Sequence, residues 1–252
     1  MCFNMSLVVE RLALESEFAA IFDLFPSLAG GGNRINYPNR SGFSHPVWPV
    51  ITTEDPDHIT TAVWGLVPRW VKDRHGALNI QNKTLNARGE SLLERPSFRS
   101  AMKKGQRCLI PVDGFFEPHD YQGKSYPFYI HRRGALFAFA GLFDDWYGPE
   151  TGKQYRSFSI ITIPSLGIVD QIHNTKHRMP LILMRECYHQ WLDGTKDPED
   201  INEMIIKSDN PPYLSAYPVS RQIYCKDFSV DTVGSRDMCP TGIEVIDRLS
   251  RL

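Results

Sequence analysis

The residue with the most chemistry latent in its position is Cys2. If the initiator Met1 is removed, as is usual ahead of a small residue, Cys2 carries a free α-amine beside its thiol, a 1,2-aminothiol. An unperturbed α-amine titrates at about pH 8 and a thiol at about 8.5, so a fraction of each is nucleophilic near neutrality. Such a pair condenses with an aldehyde: the amine forms a Schiff base and the thiol closes it into a five-membered thiazolidine. The plainer reading is a small apolar residue that packs in the core. The segments that surround Cys2 decide between the two.

Those segments need a scaffold. A chain of 252 residues, 42% hydrophobic and 23% charged, is of ordinary globular composition and can bury a substantial core. Residues 1–252 are read as one domain. A formal net charge of −1 excludes a uniformly basic nucleic-acid coat but leaves room for a local phosphate-binding patch. Glu10, Arg11, Glu15 and Glu17 interrupt the apolar residues near the start, so neither a signal peptide nor a membrane span is expected there. A cytoplasmic monomer, associated with the nucleoid when on DNA, is the expectation. The five cysteines, Cys2, Cys108, Cys187, Cys225 and Cys239, are odd in number and lack CxxC spacing. They suggest neither a disulfide framework nor a zinc site.

Along the chain, Leu14, Phe18, Ile21, Phe22 and Phe25 at helical spacing predict one helix from Leu7 to Phe25. Tyr37 to Pro49, rich in Pro, Gly, Asn and Ser, reads as a long surface loop. Short apolar runs then predict strands at Val47–Thr52, Thr60–Val67, Arg107–Pro111, Tyr126–His131, Leu136–Leu142, Phe158–Ile163 and Met179–Leu183. Helical pieces fit Glu90–Lys104, Arg185–Asp193 and Pro198–Lys207. Without a regular βαβ alternation, the fold class is α+β, largely β, with a curved or barrel-like sheet and peripheral helices.

Five segments stand in a telling order: Met1-Cys2, Trp64-Gly65-Leu66-Val67-Pro68-Arg69-Trp70, Asn86-Ala87-Arg88-Gly89-Glu90, Cys108 to Glu117, and Ile172-His173 to Arg178-Met179-Pro180. In order, spacing and identity they resemble the SOS-response-associated peptidase (SRAP) family over nearly the whole chain. The resemblance implies a compact, mainly β domain that captures abasic sites in single-stranded DNA, Cys2 forming a thiazolidine with the ring-opened sugar. By the same resemblance Asn86 orients Cys2, Arg88 holds a phosphate beside the lesion, and Glu117 is the catalytic acid–base. His173, with His177 as the alternative, assists proton transfer or contacts the lesion-side phosphate. Sugar opening and loss of water both need proton transfer, which suits a carboxyl and an imidazole. No cofactor or metal is implied.

Trp70, Arg69, Arg178 and the nearby Lys72 suit a single-strand surface, on which aromatic faces stack bases and cations follow the backbone. Trp64, within an apolar run, is expected in the core. The chain departs from the family where Phe3-Asn4 follows Cys2 instead of Gly-Arg, where Ser41 to Pro46 replaces a Tyr-Asn-x-Ala-Pro segment, and where Pro118-His119 follows Glu117. Extra residues also separate His173 from Arg178. Two other functions fit the sequence: a thiol peptidase using Cys2, Glu117 and His173, and a noncatalytic single-strand binder using Arg88, Arg178 and Trp70. Only Met1 precedes Cys2, so no propeptide is expected for self-cleavage.

Overall fold

The computed structural model describes residues 2–22, 33–149, 152, 154–206, 213–224 and 236–251. Its elements are, in chain order, β1 (Asn4–Glu10), α1 (Arg11–Phe18), β2 (Arg34–Ser41), β3 (Val47–Thr52), β4 (Asp55–Trp64), α2 (Arg74–Gln81), β5 (Asn86–Arg88), α3 (Pro96–Lys103), β6 (Arg107–Val112) and β7 (Gly114–Tyr121). They continue with β8 (Lys124–His131), β9 (Phe137–Tyr147), β10 (Gln154–Pro164), α4 (Gly167–Ile172), β11 (Arg178–Pro180), β12 (Ile182–Leu183), α5 (Tyr188–Leu192), α6 (Pro198–Ile206), β13 (Ser215–Pro218) and α7 (Glu244–Asp247). The fold is α+β and largely β.

The strands form two sheets. One has the order β13-β8-β7-β1-β2 and is antiparallel throughout. In the other, β10, β4, β3, β6 and β9 pair in turn, and β9 pairs back onto β10, so five strands close into a ring. Closure removes the free edges that an open sheet would present. The short strands β5 and β11 add to β10, and β12 adds to β9.

Aromatic side chains fill the interior, among them Trp48, Trp64, Phe139, Phe143 and Phe158. A buried indole needs an acceptor for its N–H. Trp48 donates to the Pro111 carbonyl, Trp64 to Leu85, Trp146 to Val71 and Trp191 to Cys108, at 2.7–3.0 Å. Trp64 is thus in the core, as its apolar run suggests. Among the described residues no helix is long and apolar enough to cross a membrane.

Three expectations are corrected. The segment read as a helix from Leu7 begins as strand β1, and α1 covers only Arg11–Phe18, with Leu14 and Phe18 buried one turn apart. Residues 4–10 pair with β2 and residues 4–6 also with β7, and these ladders override the helical spacing; Phe25 lies outside the described residues. The stretch read as a loop from Tyr37 to Pro49 is instead the end of β2, a 3₁₀ turn at Gly42–Ser44 and the start of β3. Its prolines are tolerated because β2 is an edge strand whose register shifts beside Pro38, and because Pro49 lies outside the β3–β6 pairing. The expected helix at Glu90–Lys104 divides into a 3₁₀ turn at Gly89–Ser91 and α3, which starts at Pro96.

The ring leaves no space at Gly141 on β9. A Cβ there would come within 2.6 Å of Ile110 Cδ1, 2.9 Å of Cys108 Sγ and 3.0 Å of the Ser159 carbonyl. Gly141→Ala is therefore expected to destabilise the protein by about 1–3 kcal/mol, as other overpacked cores are. The urea unfolding midpoint measures this, and an unchanged midpoint would refute the tight closure.

Candidate active site

The site begins with strand register. β1 pairs with β7 through Asn4 opposite Phe116, so the antiparallel run carries Cys2 toward the level of Glu117 and Pro118. On the other side of β1, Asn4 lies opposite Ser41 at the end of β2. Cys2 is fully buried, and its thiol lies 3.6 Å from the Asn4 carbonyl. Burial, with Glu117 next in weight, pushes this thiol well above its ordinary pKa.

Asn86 approaches from the barrel. It opens β5, which runs parallel to β10 with Asn86 opposite Ile160. Its Nδ2 donates to the Cys2 carbonyl at 2.8 Å, joining residues 84 positions apart. The Asn86 Oδ1 is buried and has no hydrogen-bond partner among the described residues. Ala87 is buried and Arg88 exposed, as strand alternation requires, so Asn86 and Arg88 share a face.

Glu117 sits within β7 rather than at its end, with a side chain only 1% exposed. Burial disfavours the charged carboxylate and raises its pKa to about 7. His173 follows the last residue of α4, and its side chain is 3% exposed. Its Nδ1 lies 2.8 Å from the Arg178 carbonyl and 3.5 Å from Glu117 Oε2. A carbonyl only accepts, so Nδ1 carries the proton. Burial lowers the imidazole pKa to about 4 and keeps the ring neutral, which leaves the Nε2 lone pair as an acceptor.

β7 also holds the end of α4 in place. His119, two residues beyond Glu117 and on the same face, directs Nδ1 at the Ile172 carbonyl (3.1 Å) and the Gln171 carbonyl (3.2 Å). These are carbonyls that a helix C-terminus leaves open. Asn174 completes the clamp: its Nδ2 donates to the Asp120 carbonyl at 2.9 Å and its Oδ1 accepts from the Asp120 N–H at 3.0 Å. Neither His119 nor Asn174 is assigned a role by the sequence. Their signal is the polar residue that follows each motif, and its meaning depends on a register between distant elements.

Of the two histidines, His173 is beside Glu117. His177 is exposed, has a positive φ of 50°, and pairs with Asp170 at 2.8 Å. Arg178 forms a forked ion pair with Glu90 and donates to the Thr162 carbonyl, with a side chain 13% exposed. Arg69 is similarly engaged by buried Asp144 at 2.8–3.0 Å and by Gln106 at 3.0 Å.

Asn86 and Arg88 line a groove of about 640 Å3 together with Lys83, Ser91, Arg95 and Pro96. Pro96 is shared with a second hollow of about 400 Å3, bounded by Trp70, Arg99 and Lys103. Trp70 is half-exposed, its indole donating to the Pro96 carbonyl at 3.3 Å. Of the four residues expected to carry chemistry, Cys2, Glu117 and His173 are buried, half-buried Asn86 reaches Cys2 from the groove, and Arg88 and Trp70 border adjoining grooves on the surface. Of the other thiols, Cys108 is buried and raised in pKa by that burial, Cys187 is half-buried and Cys239 exposed. Cys225 lies outside the described residues. Among the described residues no group of three His, Cys, Asp or Glu could hold a metal ion.

The family model described as SOS response associated peptidase (SRAP) matches residues 1–225. The chain belongs to the SRAP family. Relatives of this SRAP chain include the abasic site processing protein YoqW of Bacillus subtilis, 36% identical over 159 residues, which cover 62% of this chain and 67% of YoqW. Another is the abasic site processing protein HMCES of Gallus gallus, 32% identical over 178 residues and matched over 51% of its length. The SRAP chain thus spans about two thirds of the bacterial relative and half of the vertebrate one. Among solved structures, a Bacteroides thetaiotaomicron protein superposes with a TM-score of 0.85 and 29% identity over 95% of this chain and all of that one. A Bordetella bronchiseptica protein gives 0.71 and 25% identity over 87% of this chain and all of its own.

The clamp on α4 has a measurable worth. Asn174→Ala removes two hydrogen bonds and is expected to cost about 1–3 kcal/mol, read as a lower urea midpoint. Asn174→Asp, which sets a second acceptor against the Asp120 carbonyl, should lose at least as much; an unchanged midpoint in both variants would contradict the clamp.

Proposed function

We propose that this protein captures abasic sites in single-stranded DNA by a thiazolidine linkage to Cys2, whose amine is exposed by removal of Met1. One observation carries the reading: Asn86 is bonded to the Cys2 carbonyl, and buried Glu117, whose charge bears on the Cys2 thiol, lies 3.5 Å from buried His173. The family and the names of its relatives point to the same lesion.

The steps balance without a cofactor. The Cys2 amine adds to the C1′ aldehyde of the opened sugar, giving a carbinolamine. Glu117 in its protonated form delivers a proton to the departing hydroxyl, and one water leaves as the Schiff base forms. The thiol then adds to the C=N carbon, and its proton returns to the Glu117 carboxylate as the C–S bond closes. The net change is protein plus DNA minus one water. A carboxyl with a pKa of about 7 is well matched to giving and retrieving one proton at neutral pH. His173, neutral and tied by Nδ1, serves as a proton-accepting partner through Nε2 rather than as a cation on phosphate.

Arg88 then holds the phosphate beside the lesion by its forked guanidinium. The DNA follows the cationic groove past Arg95 toward Trp70, Arg99 and Lys103. Arg69 and Arg178 act from behind this surface, through their pairs with Asp144 and Glu90. A thiol peptidase is supported less well, because a raised thiol pKa opposes the thiolate that such an enzyme uses.

The first test is intact-mass analysis after incubation with single-stranded DNA carrying one abasic site. The expected product is a heat-stable adduct of protein plus DNA minus one water, absent with Cys2→Ala and with undamaged DNA. Binding without an adduct would leave a noncatalytic single-strand binder.

The second test is the pH profile of single-turnover crosslinking. The rate should rise as the amine deprotonates toward its ordinary pKa of about 8 and fall as Glu117 ionises through about 7, giving a narrow bell. Glu117→Gln should lose about 10²–10⁴-fold in rate and keep only the rising limb. A falling limb that survives in Glu117→Gln would assign the acid to another group.

A further inference from the structure

We infer that Phe3 and Phe43 form a stacking platform for the unpaired nucleobase next to the abasic residue. This inference rests on the proposed capture of abasic sites at Cys2. Phe3 is joined directly to Cys2, and its ring lies 5.0 Å from that of Phe43, tilted by 31°. Phe3 is half-buried, whereas Phe43 is 56% exposed. Phe43 thus presents a large aromatic ring to water, beside a ring that is one residue from Cys2.

The turn that presents Phe43 is held firmly. The Gly42 N–H donates to the Phe3 carbonyl at 2.8 Å, which ties the turn to the Cys2 strand. Gly42 itself is pressed against the buried core: a Cβ there would meet the Trp64 ring at 3.1 Å and Leu85 at 3.2 Å. Leu85 directly precedes Asn86, so the aromatic pair and the Cys2-binding amide are built on neighbouring supports. Ser41 accepts from the Phe43 N–H, Ser44 donates to the Ser41 carbonyl at 2.7 Å, and His45 bonds the Trp64 carbonyl at 2.8 Å. Phe43 therefore offers a ring face at little ordering cost, which is what a stacking contact needs.

Chemistry identifies the occupant. An abasic residue has no base of its own, so the nearest π-faces on the DNA belong to its flanking nucleotides. The sequence from Cys2 to Met5 has no cation, and Arg40, opposite Met5, lays its guanidinium over the Tyr37 ring at 4.4 Å, so the platform itself recognises a base by its rings. Such a contact tolerates any base, favours the larger purines, and depends weakly on salt, in contrast to Arg88.

The test uses the full chain with Met1 removed and single-stranded oligonucleotides bearing one abasic site. The flanking nucleotide on either side is adenine or an unreactive tetrahydrofuran unit without a base. At subsaturating DNA, the wild type should crosslink about 5–10-fold faster with adenine on one side than with the baseless unit, the low end of base–aromatic stacking. Phe43→Ala should fold normally, lose that factor and become indifferent to the flanking base. Phe43→Trp should retain it, and Phe43→Leu, apolar but without a π-face, should not. Full base dependence in Phe43→Ala, or a wild type indifferent on both sides, would overturn the platform. A wild type that forms no lesion-dependent adduct would instead remove the proposed function, and the platform with it.

Discussion

A chain terminus is ordinarily the least ordered part of a protein, because few contacts offset the entropy of holding it still. Here the second residue is buried, and everything else in the site depends on that. Two ladders flank β1, and the amide of Asn86 takes up the carbonyl of Cys2 from the other sheet. The pinned strand brings Cys2 to Glu117, and the barrel brings Asn86 to Cys2. For the proposed capture, geometry that a mobile terminus samples rarely is set in advance, which is where an entropic advantage in rate originates.

Burial has a second effect. Withdrawal of water raises the pKa of Cys2 and of Glu117 and lowers that of His173, so each group is driven toward its neutral form. Charge is left to the rim, where Arg88, Arg95, Arg99 and Lys103 border the grooves. In the proposed reaction this separates two tasks: the cationic groove attracts the polyanion, and the neutral interior exchanges protons without a fixed charge to oppose their movement.

Much of this arrangement is legible in the sequence, though unevenly. Strands of both sheets announce themselves as short apolar runs, and β3, β6 and β8 fall close to the boundaries those runs suggest. β1 is hidden because nearly every position from Asn4 to Val9 is buried, so no alternation marks it, while Leu14 and Phe18 extend an apparent helical pattern across it. The meeting of Cys2, Asn86, Glu117 and His173 follows from family resemblance and not from spacing, since they come from four distant segments. Asn174 and Phe43 are illegible for a related reason. The first acquires meaning only from its register with Asp120, and the second from a turn whose Pro, Gly and Ser residues resemble an ordinary loop.

β10 receives β9, β4, β5 and β11 along its length, so Asn86, Arg88 and the Arg178 that faces Thr162 are all referred to one backbone. Two residues of a parallel-paired strand span about 6.6 Å, and that is the backbone spacing between Asn86, whose amide holds Cys2, and Arg88 two positions later. In the proposed complex the pleat acts as a length standard. It sets how far along the DNA backbone the second grip falls from the covalent bond, and the ring that closes around β10 keeps that standard from stretching.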